Sequence, residues 1–119
     1  MKNPDIVPLF DLYGGILTPK QCDFLDLYYN EDLTLGEISE NEGISRQAVR
    51  DAIKNAERKL IDTEQALGLY SKINSLNSAL AKCFSAGSEI LRYNDEKLHD
   101  AFIENEVAEI LSSAMISDR

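Results

Sequence analysis

The sequence predicts an all-α protein, in which a helix-turn-helix bundle is followed by a long helix and a C-terminal helix. Capping signatures precede several apolar runs, apolar residues recur there at helical spacing, and all three prolines lie by residue 19. At 119 residues and 44% hydrophobic content, the chain can bury a modest core. We expect a helix-turn-helix domain over residues 1–62 and a C-terminal helical oligomerisation region over residues 63–119.

Two helices are expected before the helix-turn-helix. A short helix over Pro8–Tyr13 ends at a Gly-Gly pair, which serves as its C-cap and turn. The Thr-Pro-Lys-Gln segment at residues 18–21 supplies an N-cap, a proline at the first helical position and a capping-box glutamine. The helix that starts there is expected to end at residues 30–32.

Residues 34–60 predict two capped helices joined by a short turn. Thr34 and Glu37 form a capping box at the head of the first helix. Gly43 supplies the left-handed residue that ends this helix, and Ser45 caps the second. One face of the second helix is apolar, and another carries a basic residue every four positions: Arg46, Arg50, Lys54 and Arg58.

This basic stripe is typical of a recognition helix, whose N-terminal residues meet base edges in the major groove. Arg46, Gln47 and Arg50 are therefore candidates for base contacts, and Lys54 and Arg58 for the phosphate backbone. The alternative interpretation is an ordinary solvated charged face. The predicted nucleic-acid-binding residues are Thr34, Ser45, Arg46, Gln47, Arg50 and Lys54, with Thr34 at a helix head close to phosphate.

Three stretches also carry a resemblance: Leu17-Thr-Pro-Lys-Gln, Leu27-Tyr-Tyr-Asn-Glu-Asp-Leu-Thr-Leu-Gly-Glu-Ile and Gly43-Ile-Ser-Arg-Gln-Ala-Val-Arg-Asp-Ala-Ile-Lys. They resemble the YlxM family, small bacterial proteins similar to region 4 of sigma-70 factors. The resemblance implies a cytoplasmic, DNA-binding-like and non-catalytic protein, linked to the genes of the signal recognition particle. One departure is Ser39, where related sequences usually carry alanine, and serine is small enough for the fold to survive.

Charge argues against long-range attraction to DNA. The chain has 12 Lys and Arg against 21 Asp and Glu, a net charge of −9. Residues 44–60, however, hold five basic and two acidic side chains, while residues 1–43 hold two basic and nine acidic ones. Any nucleic-acid contact must therefore come from the second helix of the motif, and a homodimer that offers two such helices is almost required.

The second half predicts two amphipathic helices. The first is expected to begin near Asp62, with Gly87 loosening or ending it unless the following apolar residues extend it, and the last to be capped by Asn94 or Asp95. Their apolar stripes fit an intramolecular hairpin, a subunit interface, or both. The predicted oligomer interface comprises Leu69, Ile73, Leu76, Leu80 and Phe84. The stripe of the last helix comprises Leu98, Phe102, Ile103, Val107, Ile110, Leu111 and Met115.

The sequence does not favour a membrane span, a disulfide, a metal site or a catalytic site. No apolar run is long enough to span a bilayer and the N-terminus lacks a signal-peptide pattern, so we expect a cytoplasmic protein. Cys22 and Cys83 lack motif spacing and are predicted to be reduced packing residues. A lone His99 has no partners for a ligand cluster or a catalytic dyad. We predict no enzyme, metal, cofactor or small-molecule substrate.

Three hypotheses follow. The first is a small dimeric nucleic-acid-binding regulator, which we expect to bind DNA and which the resemblance places in the signal recognition particle pathway. The second is an acidic protein adaptor that binds signal recognition particle proteins or RNA rather than DNA. The third is a helical oligomer without a nucleic-acid role, in which the C-terminal stripes are the active surface.

Overall fold

The computed structural model describes residues 2–115, and within that range the chain is helical without a strand. The predicted all-α class is confirmed. Two compact units are present, one ending at Tyr70 and the other beginning at Ser71. The helices are α1 (Ile6–Tyr13), α2 (Pro19–Leu25), α3 (Leu35–Glu42), α4 (Arg46–Leu67), α5 (Leu69–Tyr93) and α6 (Ala101–Met115). A 3₁₀ turn (Gly14–Ile16) follows α1, and single π-helical turns follow α2 (Asp26–Asn30) and α5 (Asn94–Leu98).

The first unit has a continuous hydrophobic core, built on one face of α4. Helices α1, α2 and α3 each pack against α4, so the long helix is the common support of the three short ones. Its apolar residues at helical spacing turn inward, as the sequence predicted. The core consists of Ile6, Leu9, Tyr13, Leu17, Phe24, Leu25, Ile38, Val49, Ile53, Ala56 and Leu60.

Two tyrosines form hydrogen bonds that link the N-terminal part of the chain to α4. The Tyr13 hydroxyl donates a hydrogen bond to the Glu64 carboxylate, with 2.6 Å between the oxygens. The Tyr29 hydroxyl donates to the Glu57 carboxylate. Partial burial and this hydrogen bond raise the pKa of Tyr29, so the phenol remains a protonated donor. The α4 helix is thus held by polar contacts beside its apolar face.

Helix α4 extends further than the sequence suggested. The prediction that a separate helix begins near Asp62 is wrong, because no helix-breaking residue occurs before Gly68, where φ is +65°. Tyr70 packs against the first unit's core and donates its N–H to Glu64 at 3.0 Å. The first compact unit therefore extends to Tyr70, and the division into domains at residues 62 and 63 stays a prediction.

In the second unit, α5 and α6 approach closely at Gly87. A Cβ added there would lie 2.7 Å from Leu111 Cδ2 and 3.4 Å from Val107 Cγ1. The sequence left open whether Gly87 ends the helix or the apolar residues after it extend the helix, and α5 continues through Gly87 to Tyr93. Glycine here allows a close helix crossing.

The cap of the last helix also differs from the prediction, which named Asn94 or Asp95. Asp100 has this role: its Oδ1 accepts the N–H groups of Phe102 at 2.9 Å and Ile103 at 3.2 Å. Asn94 is instead buried, and its amide bridges to both the N–H and the carbonyl of Asp100. The helical chain continues through residue 98 before α6 starts, so the cap shifts towards the C-terminus.

The two cysteines have different surroundings. Cys22 is half-buried and its Sγ lies 3.5 Å from the Gly14 carbonyl oxygen, consistent with a packing residue. Cys83 is exposed, so the prediction that it packs is wrong. It lies on the α5 stripe, beside the exposed Phe84.

Much of that stripe faces solvent. Leu76 is 58% exposed, and Leu69, Ile73 and Phe84 are also exposed, while Leu80 is half-buried. On α6, Phe102 is 72% exposed. The side chain of Met115 lies outside the described part. The assignment of these residues to an oligomer interface stays a prediction, and their exposure leaves them available for one.

Candidate nucleic-acid interface

The turn between α3 and α4 is built as its sequence predicted. Thr34 Oγ1 accepts the Glu37 N–H at 3.1 Å, and the Glu37 carboxylate accepts the Thr34 N–H at 3.1 Å, completing the capping box. Gly43 ends α3 with φ of +69°, and Ser45 Oγ accepts the Ala48 N–H at 3.0 Å. The helix-turn-helix is therefore fixed at both helix heads by side-chain caps.

Ser39 adds a contact that its small size alone did not predict. Its hydroxyl donates to the Ile44 carbonyl oxygen at 2.6 Å, and the backbone N–H of Ile44 bonds back to the Ser39 carbonyl at 3.3 Å. An alanine at this position could not donate. The serine therefore ties the end of α3 to the turn that leads into α4.

The apolar and basic faces of α4 separate as expected. Val49, Ile53, Ala56 and Leu60 are buried. The four cations on the other face are exposed, and among the residues that the structure describes none of them forms an ion pair: Arg46, Arg50, Lys54 and Arg58. Unpaired cations are available to phosphate oxygens without first breaking a salt bridge.

Arg46 lies against the head of α3. A Cβ added to Gly36 would be 3.6 Å from Arg46 Nε and 3.8 Å from Thr34 Oγ1. These are ordinary van der Waals distances, and they place the Arg46 guanidinium and the Thr34 hydroxyl beside the same residue, Gly36. The sequence identified Thr34 and Arg46 separately, and it contains no motif that would have shown that both lie beside Gly36.

Gln47 is engaged within its own helix. Its Nε2 donates to Asp51 Oδ1 at 2.9 Å, one turn further along α4. Contact with a base would require this amide to leave Asp51 or to use its carbonyl oxygen. Of the three predicted base-contacting residues, Arg46 and Arg50 are therefore the freer ones.

Arg50 and Lys54 border a cavity that the sequence did not indicate. The cavity has a volume of about 140 Å³. It lies between the π-helical turn Asp26–Asn30, helix α4 and Leu35, which is the first residue of α3. Its lining combines two cations with a carboxylate, an aromatic ring and two aliphatic side chains: Tyr28, Leu35, Arg50, Ile53, Lys54 and Glu57. The residues are separated by up to a quarter of the chain, so no local spacing could reveal it.

This arrangement offers cationic groups and hydroxyl donors to an anionic polymer. Thr34 and Ser45 use an oxygen lone pair for capping, and each hydroxyl hydrogen can still be donated. Within residues 2–115, no cluster of three or more His, Cys, Asp or Glu side chains could hold a metal ion. None of the helices described is both long and apolar enough to cross a membrane.

Comparisons with known proteins identify similar chains. Residues 2–101 match the family described as "Putative helix-turn-helix protein, YlxM / p13 like". A "UPF0122 protein" of Anoxybacillus flavithermus is 43% identical over 102 residues, covering 85% of this chain and 91% of that protein. A "UPF0122 protein" of Desulforamulus reducens is 47% identical over 74 residues, covering 62% of this chain and 63% of the relative. One from Limosilactobacillus reuteri is 50% identical over 76 residues, covering 64% and 67% respectively.

Proposed function

The chain belongs to the YlxM/p13-like family of helix-turn-helix proteins, and from that premise we propose that it is a non-catalytic regulator that binds nucleic acid through α4. The observation that carries the proposal is the row of exposed, unpaired cations on α4 beside the capped head of α3. Residues 44–60 hold five basic and two acidic side chains in a chain of net charge −9. The basic region thus coincides with the motif.

Roles for individual residues follow from their positions. Arg46 and the Thr34 hydroxyl flank Gly36 at the head of α3, where a phosphate group would meet a guanidinium and a hydroxyl donor. Arg50 and Lys54, one and two turns further along α4, extend the cationic surface. Ser45 holds the start of α4, and Gln47 is available once it leaves Asp51. We propose duplex DNA as the first ligand to examine.

Arg50→Glu is the variant that tests the proposal. Arg50 is exposed and pairs with no described residue, so its replacement should leave helicity and melting temperature unchanged. We expect nucleic-acid binding to weaken by about 1–3 kcal/mol, roughly 5- to 150-fold. Fluorescence anisotropy with labelled duplex DNA at about 50 and about 200 mM salt measures this, and wild-type affinity should fall as salt rises.

The control is Lys97→Glu, which makes the same change in net charge on an exposed residue of the second unit. Equal loss of affinity in both variants would attribute binding to net charge and contradict the proposal. Absence of binding to any nucleic acid at low salt would also overturn it.

The chain's acidity favours a second candidate, a protein adaptor. Twenty-one acidic residues against 12 basic ones make long-range attraction to DNA weak. In an adaptor, the α4 cations would meet an acidic partner, and the family resemblance suggests proteins or RNA of the signal recognition particle. Capture of a purified particle protein by the wild type but not by Arg50→Glu, without DNA binding by either, would favour it.

A further inference from the structure

We propose that the cavity beside α4 receives the base of an unpaired pyrimidine nucleotide, whose neighbouring phosphates contact Arg50 and Lys54. The proposal rests on the proposed function, because the same two cations are used. It adds a ligand class: an unpaired stretch of RNA or of melted DNA. The cavity's size, its lining and its charged rim each support this choice.

The cavity matches a single six-membered ring in size. The cavity measures about 140 Å³. A protein cavity of about 150 Å³ binds benzene, so this volume suits one six-membered ring. A pyrimidine base is a single such ring, whereas a purine carries a second, fused ring. The space therefore favours pyrimidines.

The residues that line the cavity suit the flat, largely apolar face of a base. Ile53 is buried, while Leu35 and the aromatic Tyr28 are half-buried. Bases removed from a helical stack are commonly bound on aromatic side chains, which accept any base by its π face. A cavity with one aromatic and two aliphatic walls meets that requirement without a specific sequence motif.

The aromatic wall is held in place before any ligand arrives. The Lys2 ammonium lies 4.8 Å from the centroid of the Tyr28 ring and pairs with Asp32. The ring planes of Tyr28 and Tyr29 are inclined at 85° with 5.2 Å between their centroids, and the Tyr29 hydroxyl is bonded to Glu57. A fixed ring loses little conformational entropy when a base stacks on it.

The polar groups around the cavity complement the two parts of a nucleotide. Arg50 and Lys54 are exposed cations that can contact phosphate oxygens on either side of the base. Glu57 supplies a carboxylate, which can accept from the amino group of cytosine or the ring N–H of uracil or thymine. Positive charge for the backbone and an acceptor for the base edge occur together here.

A base inside a duplex cannot enter such a cavity while it remains stacked and paired. Reading an intact major groove requires side chains that project into it, and Arg46 and Arg50 can do so. A concave, apolar cavity next to these cations suits a base that has left the stack. The protein should therefore bind unpaired pyrimidine stretches more tightly than stretches of the same charge without bases.

The test measures binding of the full chain to labelled eight-nucleotide single strands by fluorescence anisotropy. The ligands are oligo-U, oligo-dT, oligo-A and an abasic strand of equal length and charge. We expect the pyrimidine strands to bind about 5- to 150-fold more tightly than the abasic strand, the range given by stacking of one base. Oligo-A should bind less tightly than oligo-U. The oligo-U and oligo-dT arms distinguish RNA from melted DNA as the source.

Leu35→Phe fills the cavity without altering a charge or a cap, and Leu12→Phe makes the same change on an exposed residue of α1. We expect Leu35→Phe to remove the pyrimidine preference and Leu12→Phe to retain it, with duplex binding unchanged in both. Duplex binding without any pyrimidine preference in the wild type would overturn this inference alone, whereas absence of all binding would overturn the proposed function too.

A second measurement does not depend on how a variant folds. Cytidine monophosphate titrated into the wild-type protein should shift the backbone amide resonances of Tyr28, Leu35 and Ile53 in a saturable manner. Adenosine monophosphate should produce smaller shifts at these residues. Shifts confined to other residues, or equal responses to both nucleotides, would contradict a pyrimidine site in this cavity.

Discussion

The two units differ in where their apolar side chains lie. In the first, eleven hydrophobic residues from Ile6 to Leu60 form a buried core. In the second, among residues 71–114, whose side chains the structure describes, only Gly87 and Asn94 are buried. The large apolar residues exposed there are Ile73, Leu76, Phe84, Ile90, Tyr93, Leu98, Phe102 and Ile110. The first unit therefore carries its own hydrophobic stabilisation, whereas the second has an apolar surface that association would cover.

This difference suits the two units to different roles. A folded first unit can hold the α4 cations in fixed positions beside the head of α3, as recognition of a nucleic acid requires. An apolar second unit suits assembly, and we propose that a second copy of the chain covers it. Two copies would double the number of α4 cations, which compensates for the few available on each.

The largest effect expected is the loss of a core side chain from the first unit. Leu60 is fully buried, so Leu60→Ala should lower the free energy of unfolding by about 2–5 kcal/mol through lost burial and a residual cavity. Urea unfolding followed by circular dichroism measures the change. Leu76→Ala removes the same atoms from a residue that is 58% exposed, and in dilute, monomeric protein it should cost about 0.5 kcal/mol or less. Similar losses in both variants would contradict the contrast between the units.

The next prediction concerns assembly through α5. Leu76→Asp places a charge in the middle of the exposed apolar stripe, and an unpaired charge cannot be desolvated in an interface without a large cost. We expect the mass measured by analytical ultracentrifugation to fall from that of a dimer to that of a monomer, with helicity of the first unit retained.

Ser75→Asp is the control, because it adds the same charge to an exposed neighbour outside the stripe. It should remain dimeric. A monomeric wild type at all accessible concentrations, or equal dissociation of both variants, would contradict an interface on this stripe.

The sequence predicted the first unit well because its signals are local. Capping residues such as Thr34 and Ser45, and the left-handed Gly43, act within a few positions of the structures they fix. The helix boundaries after Leu60 were less predictable. Helix α4 ends only at Gly68, which has a left-handed φ of +65°, whereas α5 continues through Gly87. A glycine ends a helix when it adopts this left-handed conformation, and the sequence alone does not show which glycine does so.

The candidate site was predictable only in part, for a related reason. The cations on α4 follow from a four-residue period, which a sequence displays directly. The cavity depends on Tyr28, Leu35 and Ile53, which tertiary packing brings together. The position of Arg46 beside Gly36 likewise depends on how α3 crosses α4. A single sequence contains no periodic signal for either arrangement.

The smallest predicted effect tests whether the second unit has packing of its own. Gly87→Ala should gain about 1 kcal/mol from helix propensity, but the added Cβ would lie 2.7 Å from Leu111 Cδ2 and force a shift that costs about 1–3 kcal/mol. We therefore expect a net loss of about 0–2 kcal/mol in thermal melts followed by circular dichroism.

In a Leu111→Ala background the obstructing methyl group is absent, so Gly87→Ala should instead stabilise by about 1 kcal/mol. This change of sign is specific to a close crossing of α5 and α6, because helix propensity is the same in both backgrounds. Stabilisation of equal size in both would mean that the two helices do not pack at Gly87. The apolar side chains of α5 and α6 would then rely on a partner, and not on each other, for burial.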